Sequence, residues 1–377
     1  MYKILISAMG YDNGKSGISE YIRSTVLELS KDNEVDLIIL KKDLVNFPYQ
    51  NSDNINLITY SDILAKPVVN MLWHLFILPF TFNFSKYDFV FLPAGNRRLF
   101  CRYPIKTFIT MHDLSQFHVD NKYDKFRMFY VKTLIPIFLK KADKIFSISE
   151  STKKDLIKYY NLSEDKIIIN HNGFNSSIYS DDDKSDKKNG SNLVGVNKKY
   201  LLYVARIEHP GKNHLNLIKA YEKLSEVTKT EYDLVFAGST WNDGEIVKEY
   251  GENSKDRERI KFLGFVKDED MPDLYKNASL YVFPSFYEGF GIPMLEAMSS
   301  GVPVICSNTS SLPEVGGDAV FTFDPNDPEE IKEKIELVLN SEQISNDMKI
   351  KGKARVKEFS WTKHCNTIVD AYNNYTK

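Results

Sequence analysis

The sequence predicts an α/β protein built from two doubly wound, Rossmann-like parallel-sheet domains. Three observations carry that expectation. Short β-branched runs alternate with helix-like stretches along the whole chain, the pattern of successive βαβ units. The alternation falls into two blocks of similar size, separated by a polar, charged stretch, SDDDKSDKKNGSNLVGVNKK, at 180–199. The length of 377 residues is enough for two separate cores.

In the first block the strand runs are 3–8, 35–40, 55–59, 88–92, 106–111, 144–148 and 166–170; in the second they are 200–204, 232–237, 260–263, 279–284, 302–306 and 319–323. The expected organisation is an N-terminal Rossmann-like domain at 1–180, a linker at 181–199 and a C-terminal Rossmann-like domain at 200–358; a terminal helix at 359–377 is free to pack back on the first domain. Helix punctuation supports the reading. Ser149 suits an N-cap before ESTKKDLIKYY. In GIPMLEAMSSG, Pro293 suits a first helical turn and Gly301 the position past its end. In NDPEEIKEKIELVLN, Asp327 reads as an N-cap, Pro328 as the first helical residue, and Glu329 and Glu330 favour the positive helix end. Ligands of such sheets bind at the C-terminal strand ends, so a cleft between the two domains is the natural site.

Composition narrows the function. Apolar content of 42% and charged content of 27% are those of a globular protein in water. A net charge of −2 excludes a protein whose main business is coating nucleic acid. The cysteines, Cys101, Cys306 and Cys365, are far apart and fit a reducing cytosol better than a disulfide framework. The N-terminus, MYKILISAMGYDNG, has no basic segment followed by a long apolar one, so no signal peptide is expected. The most membrane-like segment, 67–84, is interrupted by Asn70, His74, Pro79 and Asn83 and falls short of the ~20 apolar residues of a span, which points to a buried or interfacial helix.

Two stretches carry chemistry. MGYDNGKSGISEYI, at 9–22, places a glycine-bearing turn with Lys15 and Ser16 between a strand and a helix, as a P-loop does. The spacing G-x-x-x-x-G-K-[ST] is not met, because Met9 stands where the first glycine belongs and Gly10 is one residue too close to Gly14. The second stretch, YVFPSFYEGFGIPMLEAMSSG at 281–301, ends a buried strand, carries Glu288-Gly289-Phe290-Gly291 in a loop, and opens a helix bearing Glu296. One carboxylate then stands at a strand's C-terminal end and a second beside a helix N-terminus whose free N–H groups suit a diphosphate. The same residues also fit a structural role, with Glu296 complementing a helix dipole and the glycines merely turning the chain.

Glu288 and Glu296, set within FPSFYEGFGIPMLEAMSSGVPVICS, resemble the signature of retaining GT-B glycosyltransferases, glycosyltransferase family four (glycosyl transferases group 1). SSLPEVGGDAVFTFDPNDPEEI at 310–331, LLYVARIEHPGKNHLNLIKAY at 201–221, ITMHDLSQF at 109–117, SISEST at 147–152 and NHNGFN at 170–175 correspond as well, in the family's order. The resemblance implies a GT-B fold, in which two doubly wound domains face each other across a cleft, the N-terminal one (1–180) binding the acceptor and the C-terminal one (200–358) the nucleotide sugar. It also implies a retaining, metal-independent hexosyl transfer from a nucleotide-diphosphate sugar, GDP- or UDP-linked, with no cofactor beyond that donor. Mannosyltransferase-like enzymes of bacterial surface glycans are the nearest analogy.

Carried over by position, the resemblance assigns Glu288 to the donor sugar's hydroxyls near the reacting centre and Glu296 to the ribose hydroxyls. The backbone of Phe290, Gly291 and Ile292 lines the sugar and phosphate pocket. Arg206 and Lys212 hold the diphosphate and stabilise its charge as it leaves. Val266, in Gly264-Phe265-Val266, frames the base, and His112 faces the donor sugar from the N-terminal domain. In MGYDNGKSGISEYI the family's Gly-Gly-[Ile/Val] turn corresponds to Ser16-Gly17-Ile18, so Gly17 presents an N–H toward the donor phosphates. One departure is visible: Pro210-Gly211 stretches the Arg206-to-Lys212 interval to six residues, where the family usually has five. Asp181-Asp182-Asp183 lies in the charged linker and reads as a solvated run, not a metal site.

The implied partners are the donor and a glycan or lipid-linked glycan acceptor. Lys122, Lys125, Arg127, Lys132, Lys140 and Lys141, interleaved with aromatic and aliphatic residues at 122–144, can also meet an anionic membrane surface; the expected location is the cytoplasm, with this face able to rest on the inner side of the cell membrane. Two other classes are open from sequence. A nucleotide-sugar epimerase, or a non-catalytic binder of the same fold, would carry most of the same residues. A P-loop NTPase built on Lys15-Ser16 requires a Walker B aspartate at a strand end, and none is persuasive.

Overall fold

The computed structural model describes residues 1–14, 16–48, 52–119, 125–179 and 199–376. The expected linker up to residue 198, with Asp181-Asp182-Asp183, lies outside the described residues, as do Lys15 and Lys122. The chain divides into two compact units, Met1–Gly173 with Phe359–Lys377, and Phe174–Glu358.

The first unit holds β1 (Lys3–Ser7), β2 (Glu34–Leu40), β3 (Ile55–Tyr60), β4 (Phe89–Leu92), β5 (Thr107–Met111), β6 (Lys144–Ser147) and β7 (Ile167–Ile169). They form one parallel sheet in the order β3-β2-β1-β4-β5-β6-β7. Its inner strands are covered on both faces, which is why they read as nearly unbroken apolar runs, whereas the edge strand β3 leaves Asn56 and Thr59 exposed. The two-residue period of a strand divides them between two cores: Leu5, Ile38 and Leu40 enter one, Ile4, Ile6, Leu37 and Ile39 the other. Full burial of each such side chain contributes about 1.5–3 kcal/mol.

The unit closes with the helix Trp361–Thr376, which lies on the helix Gly17–Leu29. Cys365, Ile368 and Ala371 complete the core around Tyr21, Ile22 and Val26, and Asn170 Nδ2 donates to His364 O at 3.1 Å. The unit's first segment ends at Gly173, seven residues before the expected boundary at 180. A Cβ at Gly173 would lie 2.4 Å from the Trp361 ring, so this crossing requires glycine. Phe174 already stacks on Tyr179 in the second unit, at 5.9 Å.

The segment 67–84 is neither wholly buried nor a span. It runs helically from Pro67 to Thr81, with one wider turn at Trp73–Ile77. Pro79 has no N–H to offer the Leu75 carbonyl one turn back; Cys101 N–H donates there instead, at 3.0 Å. Among the described residues no helix is long and apolar enough to cross a membrane.

The second unit holds β8 (Lys199–Val204), β9 (Tyr232–Ala237), β10 (Ile260–Phe262), β11 (Leu280–Phe283), β12 (Val304–Ser307) and β13 (Val320–Phe323). Its parallel sheet has the order β10-β9-β8-β11-β12-β13. Both sheets therefore repeat the doubly wound order, and each reverses direction once, between β1 and β4 and between β8 and β11. Loops leaving the C-terminal ends of those strands diverge at the reversal and leave a crevice for a ligand. The 205–213 and 284–291 loops leave β8 and β11.

Candidate active site

The loop after β8 is fixed before it presents any charge. Ile207 N–H donates to Ser239 O at 3.0 Å, and Asn213 N–H to Pro210 O at 2.8 Å. Asn213 adopts left-handed backbone geometry, φ 56°, and its amide donates to Pro284 O at 2.9 Å and Pro325 O at 2.7 Å. Phe286 N–H donates to Gly211 O at 3.1 Å, so the loops after β8 and β11 are stitched together.

That stitching brings Lys212 Nζ within 2.7 Å of Glu288 Oε1. Ser285 Oγ donates to the same oxygen at 2.7 Å. Behind it, the Tyr203 hydroxyl lies 2.8 Å from Ser285 Oγ and 2.9 Å from Lys212 O, so two hydroxyl protons serve three contacts. Burial, reinforced by Glu288, pushes the Tyr203 phenol far above its ordinary pKa and keeps it a neutral donor. The Glu288 loop is itself held from β12: Thr309 Oγ1 donates to Phe286 O at 2.9 Å, Ser311 Oγ to Glu288 O at 2.9 Å and Phe290 O at 3.1 Å, and Glu288 N–H to Ser310 Oγ at 3.0 Å.

Gly291 begins the next helix at φ 104°, a conformation that disfavours any side chain, and a Cβ there would lie 2.9 Å from Leu312 Cδ2. Ile292 opens the helix with an N–H that helix geometry leaves without an intrahelical acceptor, and Pro293 has no N–H to satisfy. Glu296, in that helix, is half-buried and held from two sides. Tyr275 OH donates to Oε2 at 2.7 Å and Tyr179 OH to Oε1 at 3.1 Å. Burial, then the Glu296 charge, drives the Tyr275 phenol far above its ordinary pKa.

Arg206 takes a different course from Lys212. It is 55% exposed, with Nη2 3.5 Å from Glu208 Oε2 and its guanidinium carbon 5.5 Å from the Trp241 ring centre. Phe265 is exposed, and Val266 is half-buried beside Gly264, whose carbonyl accepts from Gly238 N–H at 2.7 Å. Among the described residues no group of three or more His, Cys, Asp or Glu side chains is arranged to hold a metal ion.

Gly17 and His112 belong to the first unit. His112 follows β5 and is buried; its N–H donates to Asn96 Oδ1 at 2.9 Å and its ring Nε2 lies 2.7 Å from Pro93 O. A carbonyl only accepts, so Nε2 carries the proton and Nδ1 is the acceptor of the neutral ring. Burial holds the His112 pKa below the usual histidine range, which favours that neutral form. Gly17 is exposed at the first position of its helix, after Ser16 as N-cap. Ser16 Oγ accepts from Ser19 N–H at 3.3 Å in a capping box, so the hydroxyl a P-loop would give to a metal is engaged locally. The N–H groups of Gly17 and Ile18 have no intrahelical acceptor.

Sequence reasoning did not find Tyr203, Ser285, Tyr179, Tyr275, Glu208 or Trp241. Ser285 and Glu208 had a local signal, three residues before Glu288 and two residues after Arg206. Tyr275 reaches Glu296 across 21 positions and Tyr179 across 117, separations at which no spacing rule operates.

Two doubly wound parallel sheets, the second with a lysine–carboxylate pair at its topological switch point, have the architecture of the GT-B fold. Residues 15–177 match the family described as Glycosyltransferase Family 4, and residues 184–355 the family described as Glycosyl transferases group 1. The chain is 34% identical over 270 residues to O-antigen chain mannosyltransferase B of Escherichia coli, across 70% of this chain and 69% of that one. It is 30% identical over 292 residues to the serotype-specific mannosyltransferase WbdA of Escherichia coli, across 75% of this chain but only 34% of that relative's length. A solved structure of Anabaena Alr3699/HepE in complex with UDP and glucose has a TM-score of 0.74 and 17% identity, covering 99% of this chain and 100% of that one, and shares the fold. The chain belongs to glycosyltransferase family four.

Proposed function

We propose that this protein transfers a hexosyl group, mannosyl first among the candidates, from a GDP- or UDP-linked sugar to a glycan or lipid-linked glycan. The transfer proceeds with retention and without a metal ion. The observation that carries the reading is the Lys212–Glu288 pair, 2.7 Å apart at the β8/β11 switch point. The O-antigen mannosyltransferase relative supports the sugar and the glycan acceptor.

In this reading the acceptor hydroxyl oxygen bonds to the anomeric carbon as the bond from that carbon to the diphosphate oxygen breaks; the nucleoside diphosphate departs with the bonding electrons and carries off the acceptor's proton. Lys212 and Arg206 meet the charge that grows on it, and the N–H at Ile292 adds a fixed dipole. Glu288 holds the sugar hydroxyls, positioned by Ser285 and Lys212. Glu296, oriented by Tyr275 and Tyr179, takes the ribose hydroxyls. Neutral His112 offers Nδ1 as a hydrogen-bond acceptor to the donor sugar. Gly17 presents its N–H to the donor phosphates, and the Val266 segment borders the base.

The test is an acceptor-free screen with GDP-mannose, UDP-glucose, UDP-galactose and ADP-glucose, in EDTA, reading thermal shift and nucleoside diphosphate release. A GDP- or UDP-sugar is expected to raise the melting temperature and to be hydrolysed slowly, with the anomeric configuration kept. Failure of every donor to shift or hydrolyse overturns the reading, and interconversion of sugars without hydrolysis points to an epimerase.

A further inference from the structure

The helical run Pro67–Thr81 is anchored on one side only. Asn70, His74, Leu75 and Leu78 are buried, and His74 is locked at both ring nitrogens, Nε2 2.8 Å from Ser7 Oγ and Nδ1 3.0 Å from Leu99 O. The helix cannot roll its other face inward without breaking those contacts. That face carries Val68, Val69, Leu72, Phe76, Ile77 and Phe80, all exposed, from 41% at Val69 to 63% at Val68. Positions 68, 72, 76 and 80 repeat every four residues and form one stripe. Proteins in water rarely leave a contiguous apolar patch of more than a few hundred Å² without a partner.

A second run extends the surface. Lys125–Leu139 is also helical, with Phe129 and Ile137 exposed. The Phe76 and Phe138 rings meet edge to face at 6.3 Å, which joins the two runs. Lys141 Nζ sits 5.4 Å from the Phe138 ring centre and donates to Cys101 O at 3.1 Å, placing an ammonium at the rim of the stripe. Residues 64–82 and 125–142 contain no Asp or Glu, while Lys66, Lys125, Arg127, Lys132, Lys140 and Lys141 fall within them.

We propose that this face is a docking surface for a bilayer of anionic phospholipid, with the stripe at acyl depth and the lysines among the headgroups. An apolar helix face edged by cations, too short to span, is the form an interfacial helix takes. The charge selects the occupant. A second copy packed on the same face about a two-fold axis would set like charges against each other, whereas an anionic lipid surface neutralises them. The apolar part of this surface comes from 67–81, and the cations come largely from the second run. The surface is independent of the transferase chemistry, so no donor is needed to test it.

Co-sedimentation of the whole protein with phosphatidylcholine vesicles, and with vesicles of phosphatidylcholine and phosphatidylglycerol at about 7:3, decides the matter. The protein is expected to favour the anionic vesicles, and high salt is expected to weaken that preference. A triple variant, Val68→Ser with Leu72→Ser and Phe80→Ser, is expected to lower the partition coefficient at least about tenfold. Lys140→Glu with Lys141→Glu is expected to remove most of the anionic preference; thermal melting checks both folds, and either variant tests the surface if the other fails. Equal or absent binding of the wild type to the two vesicle types overturns the proposal, as does unchanged binding of the triple variant. A dimer that the triple variant dissolves would assign the face to a second copy and equally overturn it.

Discussion

Replacing Lys212 by alanine separates its proposed catalytic role from its structural one. At 2.7 Å, and with side chains only 21% and 16% exposed, the Lys212–Glu288 pair has a gross Coulomb attraction of about 6 kcal/mol at an effective dielectric of about 20. Desolvation and residual solvent screening leave a net contribution of about 1–3 kcal/mol, below the 3–5 kcal/mol lost when a fully buried pair is broken. The melting temperature should fall by about 2–4 °C for each kcal/mol lost. Turnover should fall much further, because a cation aimed at a departing diphosphate acts on the transition state; loss of one such group costs about 10²–10³ in kcat. The donor Kd should rise less than about tenfold, since binding keeps the remaining backbone and side-chain contacts. The assay is nucleoside diphosphate release with the donor found by screening, alongside calorimetric donor binding and thermal melting. A kcat within about threefold of wild type, in a protein shown to be folded, would refute the assigned role.

Glu288→Gln keeps an acceptor for Ser285 but removes the charge that Lys212 faces; transfer should fall by about two orders of magnitude or more, and the melting temperature should fall by about as much as in Lys212→Ala while the protein stays folded. Tyr275→Phe removes the hydroxyl 2.7 Å from Glu296 Oε2; donor Kd, read by calorimetry, should rise about 10–100-fold if that carboxylate binds the ribose. Gly291→Ala, at φ 104° and 2.9 Å from Leu312, should cost about 1–3 kcal/mol in urea unfolding. Burial lowers His74 and His214 to about 3 and His364 to about 4, so the folded chain keeps these rings neutral while the unfolded chain protonates them near 6.5. Stability is therefore complete above pH 6.5 and lost as pH falls toward 4; between pH 7 and 5 each ring should cost about 2 kcal/mol, and His74→Gln should flatten the urea midpoint's pH slope.

Much of the fold was legible because its determinants are local. Each of the thirteen strand runs overlaps an observed strand, since an inner strand buried on both faces must be apolar over consecutive residues and the edge strands still carry β-branched and aromatic residues. The N-caps at Ser149 and Asp327 were legible for the same reason: a side chain meeting an N–H two or three residues on depends only on adjacent sequence. The helix at 67–81 was less legible. Its pattern shows apolar residues all round, and only the packing of His74 and Asn70 decides which of them face inward.

By itself the sequence determined the alternation of strands and helices, the two blocks, and the family to which its loops correspond, because those are properties of neighbouring residues. The tertiary structure decided what meets across the chain. Lys212 and Glu288 are 76 positions apart and reach 2.7 Å only because Asn213 and Gly211 tie their loops together. Tyr275 and Tyr179 converge on Glu296 through the packing of separate elements, and Arg206 turns to Glu208 although it precedes Lys212 in the same loop. The terminal helix at Trp361–Thr376 joins the first unit although it follows the second in sequence. The chain order places these groups far apart, and only closure of the sheets, driven by burial of their apolar faces, supplies the geometry for chemistry.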